Sequence, residues 1–173
     1  MAILELRQAT LRPWRASDAA ALVPHANNRA VWRNVRDRFP HPYTPADAEA
    51  WVAFASSQTP MQTFAVDVGG EAVGGIGIGI GDDVHRRSAE IGYWLGERFW
   101  GRGIATEAVV AVSSWAFATF DLCRLYALVF EWNQASCRVL EKAGYGREGL
   151  LRRSVHKDGQ TIDAFLYALV RPD

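Results

Sequence analysis

The chain has few cysteines, no net charge and no apolar run as long as a membrane span. Each of these absences excludes a class of protein or a kind of partner. Its 173 residues include two cysteines, Cys123 and Cys137, which form no C-x-x-C pair. A disulfide framework is therefore not expected, and a reducing, cytoplasmic setting is predicted. Lys+Arg and Asp+Glu balance at 19 each, so net charge gives no overall attraction to nucleic acid or to a membrane surface. Any anion site must be local.

Targeting and metal-binding patterns are also missing from the sequence. No apolar run reaches the length of a membrane span, and the stretch MAILELRQATLRPW lacks the basic and apolar regions of a signal peptide. Four scattered histidines show no metal-ligand spacing, so no metal is predicted. With no repeats or linkers, the length predicts a single domain over residues 1–173.

Hydrophobic periodicity switches between the periods of strands and helices along the chain. Strands are predicted at residues 4–14 and 64–68, over GEAVGGIGIGIG, and at 89–95, 124–130, 145–156 and 161–170. Helices are predicted from Ser17 over residues 18–27, from Thr44 with Pro45 in its first turn, over 103–120, and from Asn133 to Gly144. This order predicts an α/β protein with a mixed sheet of about seven strands and about four helices.

The stretch GGIGIGIG alternates with the period of a strand. It places Ile76, Ile78 and Ile80 on one face and leaves the other face to glycine. Its spacing does not fit the G-x-G-x-x-G dinucleotide pattern, and it leads into Asp82 and not into a helix. We therefore predict a strand whose glycine face lies close to a packed helix or to a ligand.

The stretch RFWGRGIATEA, residues 98–108, joins a predicted strand to a predicted helix. Gly101 and Gly103 remove side chains that would keep an anion from the unpaired amides of the first helical turn. Arg98 and Arg102 add positive charge. This pattern predicts a phosphate or pyrophosphate site, with a plain glycine turn and solvated arginines as the alternative. The stretch is neither a G-x-x-x-x-G-K-[ST] loop nor the G-x-G-x-x-G fingerprint, because Thr106 stands at the third glycine position.

Residues 89–108, AEIGYWLGERFWGRGIATEA, resemble the acetyl-CoA-binding core of the GNAT acetyltransferases, and Arg98, Gly101 and Gly103 match the family's [QR]-x-x-G-x-[GA] pattern. Residues 130–145, FEWNQASCRVLEKAGY, resemble the family's second coenzyme segment. The similarity extends to LRPWRASDA and YTPADAEAW and is strongest to the branch with the Rim-type ribosomal-protein N-terminal acetyltransferases. It implies a GNAT fold, with a mostly antiparallel central sheet splayed in the middle, and acetyl transfer from acetyl-CoA to an amine.

The resemblance also implies which residues bind acetyl-CoA. The pyrophosphate loop falls on residues 100–105, and the pantetheine arm pairs with the backbone of residues 91–95. Arg138 and Lys142 reach the adenosine-phosphate end or, as the alternative, are solvated helix charges. The implied coenzyme-binding residues are Ile91, Tyr93, Trp94, Leu95, Arg98, Trp100, Gly101, Arg102, Gly103, Ile104, Ala105, Asn133, Ser136, Arg138 and Lys142.

The implied reaction is direct attack of the amine on the thioester, without a covalent enzyme intermediate. Cys137 is therefore expected to be a buried helix residue and not a nucleophile. By resemblance to the Rim branch, Ser136 is the candidate acid for the departing thiolate, with a role within its helix as the alternative. Glu90 is the candidate base or pairs with a cation, and His156 and His41 are fallback bases. A backbone amide of residues 91–95 is the candidate oxyanion donor.

The acceptor amine is the least defined partner. Two arginines among the candidate residues suit an acceptor with a carboxylate or phosphate, although aromatic residues in this region are more often core. The sequence fits an enzyme that acetylates protein N-termini or a small amine. It also fits a non-catalytic acetyl-CoA-binding module and, less well, an unrelated phosphate-binding domain; a homodimer is compatible with either of the first two. The candidate acceptor residues are Trp32, Arg33, Arg36, Phe39, Tyr43 and His156.

Overall fold

The computed structural model describes residues 2–171. The strands are β1 (Leu4–Glu5), β2 (Thr10–Arg12), β3 (Thr63–Val68), β4 (Glu71–Ile80), β5 (Ser88–Leu95), β6 (Arg124–Phe130), β7 (Gly146–Lys157) and β8 (Gln160–Val170). The α-helices are α1 (Asp18–Ala26), α2 (Arg29–Trp32), α3 (Pro45–Ser57), α4 (Ile104–Thr119) and α5 (Gln134–Lys142). Short 3-10 turns span Asp83–His85 and Glu97–Phe99. The hydrogen-bonded strand order is β1-β2-β3-β4-β5-β6-β8-β7.

The sheet has eight strands where the sequence predicted about seven. The difference lies at residues 4–14, which were predicted as one strand and form two, β1 and β2, with Leu4 opposite Leu11. The Leu6 N–H donates to the Ala9 carbonyl across the intervening turn (2.9 Å). This reversal divides the predicted strand.

The sheet is mixed and mostly antiparallel, as expected. β5 and β6 run parallel and pair over three positions, from Ser88 opposite Arg124 to Glu90 opposite Tyr126. The β1–β2, β2–β3, β3–β4, β6–β8 and β7–β8 pairs are antiparallel. The β5–β6 ladder stops after Glu90; the splay of the sheet stays a prediction.

The described residues divide into two compact units, each made of two stretches of chain. The first contains the residues up to Gly77 together with Tyr93–Ala108. The second contains Ile78–Gly92 and the residues from Val109 onward. The glycine and arginine stretch lies in the first unit and α5 lies in the second, while the single domain over residues 1–173 stays a prediction.

The core of the first unit combines residues from α1, α3, β3 and β4. α3 begins as predicted, because the Thr44 hydroxyl accepts from the Asp47 N–H (3.3 Å) and the Asp47 carboxylate accepts from the Thr44 N–H (2.8 Å). This reciprocal pair satisfies two donors at the helix start. The buried core residues are Trp14, Leu22, Ala26, Tyr43, Ala48, Val52, Ala55, Ala65 and Ala72.

A buried ion network joins β2, β3 and α1. The Arg12 guanidinium donates to both carboxylate oxygens of Asp18 (2.8 and 2.9 Å) and to Asp67 (2.6 Å). Hydrogen bonding to Asp18, and secondarily to Asp67, raises the pKa of Arg12 well above its ordinary value. Ser17 precedes α1 as predicted but makes no capping hydrogen bond; Asp18 instead accepts from the Arg15 N–H (2.8 Å).

The glycine-rich part of β4 is a strand, as its alternation predicted. In the first unit, a Cβ added to Gly75 would lie 3.0 Å from the ring of Trp14 and 3.2 Å from the indole nitrogen of Trp94. Two aromatic side chains, neither of them from a helix, therefore pack closely onto the strand at Gly75 and leave little room for a Cβ.

The second unit holds the final hairpin and α5. Asp158 and Gly159 form its turn with φ values of 53° and 73°, which confirms the predicted reversal. The Tyr167 hydroxyl of β8 donates to the Glu141 carboxylate of α5 (2.8 Å). The Ser113 and Tyr145 hydroxyls are hydrogen-bonded (2.8 Å), and burial raises the pKa of Tyr145 to about 12.

Candidate functional site

The stretch between β5 and α4 is an open loop built on two glycines with left-handed backbones. Gly101 has φ of 74° and Gly103 has φ of 81°, a region that residues with a Cβ rarely adopt. Both are exposed, and a Cβ added to either would meet nothing within 4 Å. The space over this backbone is therefore open to a ligand.

The start of α4 supplies hydrogen-bond donors to that space. The helix begins at Ile104, one residue after the predicted start, and the Glu107 N–H is bonded to the Gly103 carbonyl (3.1 Å). The backbone N–H groups of residues 101–106 have no acceptor within residues 2–171. The helix dipole adds partial positive charge at the same point. Together they form a cradle suited to a phosphate group.

Two exposed arginines flank the cradle. The guanidinium of Arg102 lies 5.1 Å from the centre of the Phe99 ring and that of Arg98 lies 5.9 Å from it. The backbone carbonyl of Arg102 accepts from the Gln8 side chain (3.2 Å). The loop thus carries two positive charges beside its unpaired amides.

A carboxylate in the first turn of α4 is held by a distant arginine. Glu107 accepts from the Arg7 backbone N–H (3.0 Å) and from its guanidinium. These bonds, with the backbone contribution first, lower the pKa of Glu107 below its ordinary value of 4.5. Arg7 therefore offsets a negative charge that would otherwise oppose an anion at the helix start. The sequence did not indicate this pair.

The strand before the loop uses its side chains for packing. Ile91 and Leu95 are buried, and Tyr93 and Trp94 are half-buried. The Trp94 ring lies 5.2 Å from the Phe39 ring at an interplanar angle of 74°. Any coenzyme contact along this strand would therefore come mainly from backbone groups, which is how the resemblance assigned it.

α5, in the second unit, begins as predicted. The Asn133 side chain accepts from the Ser136 N–H (3.2 Å), so Asn133 is the helix cap. Ser136 is half-buried and Cys137 is buried, which confirms the expected placement of the cysteine. Arg138 and Lys142 are exposed and one helical turn apart. The coenzyme roles of Asn133, Ser136, Arg138 and Lys142 stay predictions.

The candidate bases have different surroundings. Glu90 is half-buried on β5 opposite Tyr126 of β6. His156 is exposed on β7, and its Nδ1 is hydrogen-bonded to the Thr161 hydroxyl (3.0 Å). The assignment of either residue as the base stays a prediction.

Two of the candidate acceptor residues take part in the core of the first unit. Tyr43 is 5% exposed and belongs to the buried cluster, and Phe39 packs against that cluster. Burial raises the pKa of Tyr43 to about 12. Packing accounts for both rings without an acceptor.

Three further acceptor candidates, Trp32, Arg33 and Arg36, lie on and after α2, a one-turn helix that the sequence did not predict; His156 lies on β7. Trp32 stacks on His41 with ring centres 5.5 Å apart. Arg33 is half-buried and Arg36 is exposed. These residues and the loop at residues 98–105 belong to the first unit, while Glu90, Asn133, Ser136 and His156 belong to the second.

Metal and membrane features are absent from the part of the chain that the structure describes. Among residues 2–171, no cluster of three or more His, Cys, Asp or Glu side chains could hold a metal ion. Within the same residues, no helix has the length and apolar character needed to cross a membrane.

Two protein sequences show what the chain is similar to. YoaA of Bacillus subtilis (strain 168), an uncharacterized N-acetyltransferase, is 39% identical over 102 residues, 59% of this chain and 57% of that protein. The spermidine N(1)-acetyltransferase of Escherichia coli (strain K12) is 28% identical over 160 residues, 89% of this chain and 81% of that protein. The chain spans about half the length of the first curated relatives it matches.

Two solved structures share the fold. RimL, the ribosomal L7/L12 α-N-protein acetyltransferase in complex with coenzyme A, has a TM-score of 0.86 at 21% identity and covers 98% of each chain. RimJ of Mycobacterium smegmatis in complex with CoA-disulfide has a TM-score of 0.81 at 29% identity, over 94% of this chain and 81% of that chain. The family profile of the acetyltransferase (GNAT) domain matches residues 8–146. The chain therefore belongs to the GNAT family of acetyltransferases.

Proposed function

We propose that this chain transfers the acetyl group of acetyl-CoA to a primary amine by direct attack, without a covalent enzyme intermediate. The observation that carries the proposal is the open cradle of unpaired amides at residues 101–106, with Arg98 and Arg102 beside it. The pyrophosphate of coenzyme A is an anion suited to such a cradle. The coenzyme A complexes of RimL and RimJ support this assignment.

In this proposal each part of the loop has a separate task. The amides of residues 101–106 donate to the pyrophosphate, and Arg98 and Arg102 offset its charge. Gly101 and Gly103 let the phosphate oxygens approach the backbone, because neither residue carries a Cβ. The backbone of residues 91–95 pairs with the pantetheine arm, and Arg138 and Lys142 bind the adenosine-phosphate end.

The chemistry needs a base, an oxyanion donor and an acid. Glu90 accepts the amine proton, directly or through water, while the nitrogen forms a bond to the thioester carbonyl carbon. A backbone amide of residues 91–95 donates to the oxyanion. The carbon–sulfur bond then breaks, and the Ser136 hydroxyl gives its proton to the departing thiolate. The proton taken up by Glu90 returns to the Ser136 oxygen through water, which restores both residues.

The protonation state of the acceptor favours an α-amine. A lysine-type amine, with a pKa of about 10.4, costs roughly 4 to 5 kcal/mol to present neutral at pH 7. An α-amine, with a pKa near 7.7 to 8.0, costs about 1 to 1.4 kcal/mol. A weak base such as Glu90 suffices to deprotonate an α-amine. An α-amine is also the acceptor named for RimL. The spermidine enzyme makes a polyamine the second acceptor class to test.

The test is release of free thiol from acetyl-CoA with three acceptor sets. The sets are peptides with free N-termini, free amino acids, and polyamines or aminoglycosides. We expect turnover with the peptides, and turnover with another set would keep the transferase and change its acceptor. No release with any set, beside confirmed acetyl-CoA binding, would replace the enzyme by a coenzyme-binding module. Nucleotides that outcompete coenzyme A would overturn both.

A further inference from the structure

His25, near the end of α1, is buried beneath the turn that leads into the loop. Its side chain is 5% exposed, and its Nε2 lies 2.7 Å from a carboxylate oxygen of Glu71. A carboxylate accepts hydrogen bonds, so Nε2 carries the proton and donates. Glu71 therefore fixes both the orientation of the ring and the nitrogen that faces it.

The opposite side of the imidazole lies against Gly96. A Cβ added to Gly96 would come within 2.9 Å of His25 Nδ1. Gly96 is itself held, because its N–H donates to the Val73 carbonyl (2.8 Å) and its carbonyl accepts from the Phe99 N–H (2.9 Å). The Phe99 ring meets the His25 ring edge to face at 5.6 Å. The His25 imidazole thus packs against Gly96, just before the Glu97–Phe99 turn, and against Phe99 at its end.

Asn28 tethers the same turn from the start of α2. Its side-chain oxygen caps α2 by accepting from the Ala30 N–H (2.7 Å), and its side-chain NH₂ donates to the Glu97 carboxylate (2.7 Å). An open pocket of about 480 Å³ lies at this place, lined by Pro24, His25, Asn28, Glu71, Glu97 and Arg98. The turn is therefore anchored at residues 96, 97 and 99.

We propose that His25 is a positioning residue for the coenzyme loop. The proposal rests on the proposed function, because it takes the loop to bind the pyrophosphate of acetyl-CoA. The His25 ring touches neither the reacting atoms nor the amides of residues 101–106. It acts through its contacts with Gly96 and Phe99. Phe99 lies under the guanidinium groups of Arg98 and Arg102. Loss of the ring shifts the turn and misaligns the arginines and amides that follow it.

The experiment compares two acetyl donors in the wild type and in His25→Ala. Acetyl-CoA contains the pyrophosphate, whereas S-acetyl-pantetheine lacks it. We expect the KM for acetyl-CoA to rise about tenfold with kcat retained, because small misplacements of binding groups are costly. The kcat/KM for S-acetyl-pantetheine should stay within about twofold, since it makes no use of the cradle. A control, Val52→Ala, truncates a buried residue of the hydrophobic core of the first unit.

Each outcome bears on one proposal. Absence of CoA binding by the wild type in calorimetry would overturn the proposed function. Equal losses with both donors in His25→Ala, or the same selective loss in Val52→Ala, would overturn the role of His25.

If His25→Ala does not fold, Gly96→Ala tests the contact from the other side. Its methyl group meets the imidazole, and the same donor-selective loss is expected. Where His25→Ala does fold, the double variant removes the clash, and its combined loss should be smaller than the product of the two single losses. A Gly96→Ala protein with wild-type KM for acetyl-CoA would overturn the proposal.

Discussion

The indole N–H of Trp100 donates to the backbone carbonyl of Leu95 at 2.7 Å, and this bond ties the end of β5 to the entrance of the glycine loop. Trp100 is 44% exposed, so part of its ring is open to solvent while its N–H is held by this contact. The Trp100 side chain therefore holds the start of the loop at residues 98–105 against the end of β5.

Replacing Trp100 should affect coenzyme binding more than it affects folding. Trp100→Phe keeps an aromatic ring and removes the donor, a loss of about 0.5 to 1.5 kcal/mol. We expect the KM for acetyl-CoA to rise about three- to tenfold with kcat retained. Steady-state kinetics and thermal unfolding would check this, and an unchanged KM would show that the bond does not hold the loop.

Gly103 and Gly159 offer a matched pair of left-handed glycines, with φ of 81° and 73° and open space around both. Alanine at either position should cost about 1 kcal/mol or more of unfolding free energy. We expect Gly103→Ala also to weaken coenzyme A binding more than tenfold, because its Cβ projects into the cradle. Gly159→Ala should bind normally. Calorimetry that shows equal affinities for the two variants would remove Gly103 from the site.

The Arg7–Glu107 pair should control the charge at the start of α4. Arg7→Gln leaves the Glu107 carboxylate without its cation, and we expect about three- to tenfold weaker coenzyme A binding at low salt. The double variant with Glu107→Gln should restore affinity, since no charge then remains to offset. Wild-type affinity in the single variant, or no recovery in the double, would contradict this reading.

The same pair should be visible in the titration of Glu107. Arg7 lowers its pKa in the folded protein, so the pair stabilises the fold above the ordinary value of 4.5. That contribution is lost as the pH falls through the lowered folded value. NMR titration of the Glu107 carboxyl should show a higher pKa in Arg7→Gln. The backbone N–H of residue 7, the largest cause of the lowered pKa, remains in this variant, so an equal pKa in both proteins would mean that the Arg7 guanidinium does not bond Glu107 in solution.

Arg12 should be the most sensitive position of the first unit. Arg12→Met leaves Asp18 and Asp67 buried without their cation, and we expect a loss of about 3 to 5 kcal/mol in unfolding free energy. The control Arg87→Met removes an exposed partner of Asp121 and should cost less than about 1 kcal/mol. Urea unfolding of both variants would decide, and equal losses would contradict the network.

Ser136→Ala should separate catalysis from binding. The Asn133 cap bonds the Ser136 backbone, so α5 is expected to persist. If Ser136 protonates the thiolate, kcat should fall at least about 10²-fold with the KM for acetyl-CoA little changed. Full activity in this variant would leave Ser136 with a role within the helix alone.

The loop at residues 98–105 could be predicted because the residues that form it are neighbours in the sequence. Two glycines, two arginines and the first turn of a helix follow one another along the chain, so the sequence alone indicates an anion site. The caps at Thr44 and Asn133 were predictable for the same reason. Each involves residues only three apart.

Contacts between distant residues were not predictable in this way. Arg7 meets Glu107 across 100 positions, and His25 meets Gly96 without any local pattern that pairs them. The reversal between β1 and β2 was missed because Leu6 to Ala9 contain no glycine, proline, asparagine or aspartate to mark a turn. The two distant contacts come from tertiary packing, whereas the turn is local but carries no residue that marks it.

The chain passes between the two units three times, and each passage lies inside a regular element. The changes fall after Gly77 within β4, after Gly92 within β5 and after Ala108 within α4. Neither unit is therefore a continuous piece of polypeptide, and no single cut yields one of them. A fragment ending at Gly77 would lack the residues that form the coenzyme loop. Exchange of one unit between relatives would therefore have to move both of its segments together. Insertions between residues 81 and 87, by contrast, interrupt none of the three elements in which the chain passes from one unit to the other.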